Sequence, residues 1–124
     1  MRREIQERTF RLAVRVATLR RDGLFKKLVG DVVLRQLIRA TTSVGANLEE
    51  ATAAQSRADF VSKVAIATKE AREMQYWLRL AHDSGVLSPQ EWDSLHEETR
   101  EVAQVVSAIA RSARSTTVRP RSAD

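Results

Sequence analysis

Residues 40–51 read "ATTSVGANLEEA", and the reading of this run decides the fold. Helical patterns flank it, with Leu34, Leu37 and Ile38 before and Ala51, Ala53 and Ala54 after. Yet Thr41, Thr42, Ser43, Val44, Gly45 and Asn47 are mediocre or poor helix formers, and a mid-helix glycine alone costs about 1 kcal/mol against alanine. Tertiary packing overrides propensity in most protein helices. The run is therefore read as a packing surface. Thr41, Gly45 and Leu48 are expected to face inward, with Thr42, Ala46 and Glu49 beside them. Ala67 and Ala71 on the following helix are expected opposite, with no room for bulk at Gly45 or Ala71.

Working outward, four helices are predicted. The first spans residues 4–21. Ile5, Leu12, Val16 and Leu19 form one apolar stripe and Phe10, Ala13, Val14 and Ala17 a second, while Arg8, Arg11 and Arg15 share a third side. Asp22 and Gly23 end it. "LFKKLVG" reads as a connector, and Asp31 as the N-cap of the second helix, which runs to Ala54 with Leu34, Leu37, Ile38, Thr41, Gly45 and Leu48 on one face. The third spans residues 56–84, opened by the Ser56–Asp59 capping pattern and stopped by Gly85. Its inner stripe is Phe60, Val64, Ala67, Ala71, Met74, Leu78 and Ala81. The fourth opens on Ser88-Pro89-Gln90-Glu91, with serine at the cap, proline at the first turn and glutamate third. Trp92, Leu95, Thr99, Val102, Val106, Ile109 and Ala113 then make a bundle-type seam. Short connections make neighbours antiparallel, so the expected fold is all-α, an up-and-down antiparallel four-helix bundle over residues 1–114. Residues 115–124 have no periodicity and read as a disordered basic tail.

Composition bounds the function. A chain of 124 residues with 43% hydrophobic and 30% charged residues is one globular domain. Zero cysteines exclude disulfides and thiolate metal sites and fit a cytoplasmic protein. The N-terminal "MRREIQERTF" lacks the apolar core of a secretion signal, and no run is long enough to span a membrane. Apolar residues off the inner stripes (Phe10, Val14, Ile66, Trp77 and Leu80) point to a self-association surface. The net charge of +5 is uneven. Residues 1–27 carry 9 Lys/Arg against 3 Asp/Glu, residues 28–110 carry 8 against 12, and residues 111–124 carry 4 against 1. Basic ends around an acidic middle suggest a polyanionic partner.

The blocks "QLIRATTSVGANLEEA", "AQSRADFVSKVAIATKEAREMQYWLRL" and "SGVL" resemble the bacterial four-helix-bundle family named for 23S rRNA intervening-sequence proteins. The resemblance covers about residues 10–114. It implies a four-helix up-and-down bundle that assembles as a homopentameric ring, with no known enzymatic activity; no cofactor is expected. A structurally similar relative is the accessory variability protein of diversity-generating retroelements, a basic pentameric barrel that associates with reverse transcriptase and nucleic acid. By analogy, RNA or DNA and a reverse transcriptase or other protein are candidate partners.

No catalytic or metal constellation emerges. A di-iron bundle needs Glu-x-x-His pairs, and the chain has none; Glu70-x-x-Glu73 and Asp93-x-x-His96 do not replace them. Glu49, Glu50, Glu70 and Glu73 fit pairing with Arg39, Lys69 or Arg72 better than catalysis. The remaining candidate site is a phosphate-binding surface of Arg2, Arg3, Arg8, Arg11, Arg15, Arg111 and Arg114. No aromatic residue is interleaved with these arginines, so base stacking is not expected. The alternative function is a protein–protein scaffold in which the arginines serve solubility.

Overall fold

A computed structural model describes Val14 and residues 23–118. Among these the chain forms helices α1 (Gly23–Thr52), α2 (Arg57–Asp83) and α3 (Pro89–Val118), and no strand. The helices run up, down and up, with α2 packed against both others. Val14 is helical and packs half-buried on the core. The rest of the first predicted helix lies outside the described residues.

The caps of α2 and α3 form where the sequence places them. Ser56 is the extended N-cap of α2, and its hydroxyl accepts from Asp59 N at 3.0 Å. Ser88 caps α3 reciprocally: its hydroxyl accepts from Glu91 N at 3.1 Å, and its own N–H donates to Glu91 Oε1 at 2.8 Å. Two orphan N–H groups are thereby satisfied at a helix start. Gly85 ends α2 in the left-handed region at φ 81°, and Val86 N reaches back to Ala81 O at 2.8 Å. Only glycine enters that region at no steric cost.

Other boundaries differ from the expectation. α1 begins at Gly23, so "LFKKLVG" is helical and Asp31 is interior rather than a cap. Leucine and lysine favour helix, and Gly30 alone does not outweigh them. α3 continues to Val118, past the boundary expected at Arg114.

Three apolar clusters stack along the bundle. At one end Val33, Leu78, Leu80, Ala81 and Leu87 meet, with Val14, Trp77 and Trp92 against them. In the middle Val44, Ala67, Ala71, Ala103 and Val106 join all three helices. At the far end are Ala51, Val64 and Ala110, with Phe60 against them. The α2 stripe is therefore as expected from Val64 to Ala81.

The faces of the other two helices are rotated in part: Leu37, Leu48 and Val102 pack on the clusters as expected, and other members turn outward. α1 buries Val33, Ala40, Val44 and Ala51, while Leu34, Ile38, Thr41, Thr42 and Gly45 are exposed. The threonines need no tertiary partner: Thr41 Oγ1 donates to Leu37 O at 2.8 Å and Thr42 Oγ1 to Ile38 O at 2.9 Å. A Cβ built on Gly45 meets nothing within 4 Å. The inward Gly45 expected from the sequence is thus corrected; Ala40 is the wholly buried small residue of α1. On α3 the buried positions are Ala103, Val106, Ala110 and Ala113, and Leu95 and Ile109 of the expected seam are exposed. Trp92, Thr99, Val106 and Ala113 belong to both registers. The observed one turns alanines toward α2, which lets the backbones approach.

Candidate nucleic-acid interface

Of the arginines singled out in the sequence, Arg111 and Arg114 are described, and both are exposed on the last turns of α3. Arg2, Arg3, Arg8, Arg11 and Arg15 lie outside the described residues. So does Phe10 of the expected association surface. The other members of that surface divide. Ile66 is exposed, Val14 and Trp77 are half-buried against the end cluster, and Leu80 is a core residue only 5% exposed.

Around Arg72, charge on α2 divides by face. Glu70 and Glu73 turn toward α1. Arg39 Nη1 donates to Glu70 Oε2 at 3.2 Å and Arg39 Nη2 to Glu73 Oε1, while Trp77 Nε1 also donates to Glu73 Oε1 at 3.3 Å. Gln36 Oε1 accepts from Arg39 Nε at 2.9 Å, which holds the guanidinium in place. Lys63 Nζ lies 3.7 Å from Glu50 Oε2. These pairs are structural, and they account for three of the four glutamates weighed as a catalytic group.

Arg72 turns the other way, toward α3. It shares an open groove of about 460 Å³ with Gln75, Arg100, Gln104, Ser107 and Arg111, over a floor of Ala71 and Ala103. Arg100 pairs with Glu97 one turn earlier on α3. The hydrogen bonds from Arg100 hold the Glu97 carboxyl below its usual range. Both side chains are exposed, so water screens the pair. Arg72 is expected from the sequence to pair with the glutamates, a role that Arg39 fills instead, and Arg100 carries no sequence signal by charge average because it falls in the acidic middle segment. One signal was legible there: Arg100, Gln104, Ser107 and Arg111 recur at helical spacing on one stripe.

Both histidines stack on one indole. His82 lies on Trp92 with ring centroids 4.0 Å apart, and His96 on Trp92 at 4.7 Å, nearly parallel in each case. His82 Nδ1 is 3.0 Å from Asp83 Oδ1, and His96 Nδ1 is 3.1 Å from Trp92 O. The stack joins the end of α2 to the start of α3. Among the described residues no three His, Cys, Asp or Glu side chains gather in a metal-binding group, and no helix is long and apolar enough to cross a membrane.

The comparisons with known proteins agree with this architecture. A crystal structure of a protein with unknown function from the S23 ribosomal protein family of Bacteroides thetaiotaomicron is 34% identical to the chain. The match covers 86% of this chain and 97% of that one, with a TM-score of 0.60. No curated protein matches the chain. Residues 2–108 match the model of the family described as 23S rRNA-intervening sequence protein. With the three-helix core and a match over most of its length, the chain belongs to the 23S rRNA-intervening sequence protein family.

Proposed function

We propose that this protein is a non-enzymatic, self-associating four-helix bundle that binds the phosphate backbone of RNA or DNA as an accessory factor. The observation that carries this reading is the charge split. Residues 1–27 hold 9 Lys/Arg against 3 Asp/Glu, and the last fourteen residues 4 against 1, around an acidic middle. Phosphate contacts from arginine are sequence-tolerant and release bound counterions, so affinity falls steeply with salt.

The test is fluorescence anisotropy with labelled RNA and DNA, as single strands and duplexes, between about 50 and 200 mM salt. Binding is expected at low salt. Replacing Arg8, Arg11 and Arg15 together by Gln should weaken it and flatten the salt slope by roughly 2–3. Deleting the residues after Arg114 should have a smaller, additive effect. No binding at low salt, or binding that the triple substitution leaves intact, removes this reading in favour of the scaffold.

Self-association is supported by apolar side chains left on the outside of the chain. Leu24, Leu28, Val32 and Ile38 on α1 are each more than half exposed. A soluble chain seldom leaves such a strip uncovered. A homopentameric ring is the assembly proposed, with residues 4–21 completing the bundle as its first helix. Light scattering at micromolar concentration should give a multiple of the 14.0 kDa chain mass, and a monomer would refute the assembly. By analogy with the accessory protein of retroelements, a reverse transcriptase is a candidate protein partner.

A further inference from the structure

We infer that the groove between α2 and α3 is a track for the phosphodiester chain of a nucleic acid, with Arg72, Arg100 and Arg111 each meeting a phosphate. The inference rests on the nucleic-acid reading above and names a surface for it that the two basic chain ends do not include, save Arg111.

The groove is lined by three guanidiniums and no carboxylate, within a segment whose acids outnumber its bases. The fold produces this by segregation. The α2 carboxylates on either side of Arg72 face α1, where both pair with Arg39, so neither lines the groove. Arg72 and Arg111 pair with no carboxylate among the described residues, and Arg100 pairs only at the solvent edge. The remaining polar lining, Gln75, Gln104 and Ser107, supplies neutral hydrogen-bond donors, which suit phosphate oxygens.

The dimensions fit a strand. Arg100 and Arg111 are eleven residues apart on one stripe of α3, about 16 Å along the helix axis. A stacked strand advances about 3.4 Å per phosphate, so the stripe spans about five phosphates. Arg72 on α2 faces the same channel from the other wall. The alanine floor leaves room for the chain. No aromatic side chain lines the groove, so bases are not stacked there and the contact is sequence-tolerant.

The experiment uses the full chain and a labelled single-stranded RNA oligonucleotide in a salt series. Two variants address the groove. Arg72→Gln with Arg100→Gln removes two guanidiniums, and should lower affinity about tenfold and the salt slope by about 2. Gln104→Glu places a carboxylate between Arg100 and Arg111 at an exposed position, and should weaken binding in the same direction without touching the core. Circular dichroism melting checks folding, and if the double variant does not fold, Gln104→Glu decides. If wild type binds and the groove variants bind equally well, the groove assignment falls and the reading based on the basic ends stands. If wild type does not bind the oligonucleotide at low salt, both fall. Competition arms with tripolyphosphate and with an acidic peptide distinguish the ligand. Displacement by either one at concentrations where unlabelled oligonucleotide does not compete would overturn the phosphodiester assignment.

Discussion

Met74→Ala is expected to destabilise the protein by about 2–5 kcal/mol, the range for removing a large apolar side chain from a packed core. Met74 is 2% exposed and among the largest fully buried side chains. It lies on α2 between the turns that carry Ala71 in the middle cluster and Leu78 in the end cluster. Truncation loses the transfer free energy of the buried atoms and leaves a cavity that two rigid helix contacts cannot close. Thermal denaturation followed at 222 nm should show the midpoint falling by roughly ten degrees. A fall of one or two degrees would mean that the helices collapse into the gap, and that the clusters are not rigidly coupled.

Ala71→Leu is expected to cost about 1–3 kcal/mol by overpacking, whereas Gly45→Leu is not. Ala71 is 1% exposed and packs in the middle cluster with Val44, Ala67, Ala103 and Val106, where all three helices meet. Three added carbons there must push a helix away or force strained rotamers. At Gly45 the added side chain enters open space on the chain, and replacing a mid-helix glycine offsets some backbone entropy. Chemical denaturation of the two variants side by side reads the difference. Equal losses would show that the Gly45 face is covered in the assembled protein.

That contrast marks where the sequence was legible. The α2 stripe from Val64 to Ala81 and the caps at Ser56 and Ser88 follow from local chemistry, since a hydroxyl three residues before a free N–H or carboxylate has one good use. The α1 and α3 faces do not follow from apolar spacing alone. On α3 two registers share Trp92, Thr99, Val106 and Ala113, and counting large residues favours the one with Leu95 and Ile109. The chain packs the other, which buries Ala103, Val106, Ala110 and Ala113. On α1 the run at residues 40–51 is divided: Leu48 packs on the middle cluster as expected, while Thr41, Thr42 and Gly45 face outward. Its hydroxyls are satisfied within the helix, so water-facing positions suit them. The charge pattern is legible by segment and hides Arg72 and Arg100, because an average over residues 28–110 cannot show that Glu70 and Glu73 face α1 while Arg72 faces α3.

The two tryptophans of the chain, Trp77 and Trp92, both pack against the same end cluster. Intrinsic fluorescence therefore watches one end of the molecule. The His82–Trp92–His96 stack ties the Trp92 indole to the junction of α2 and α3, so its emission follows that junction. Opening that starts at Ala51, Val64 and Ala110 would lose helical ellipticity while emission stays constant. A gap between the two optical transitions thus reports the order in which the ends of the bundle come apart.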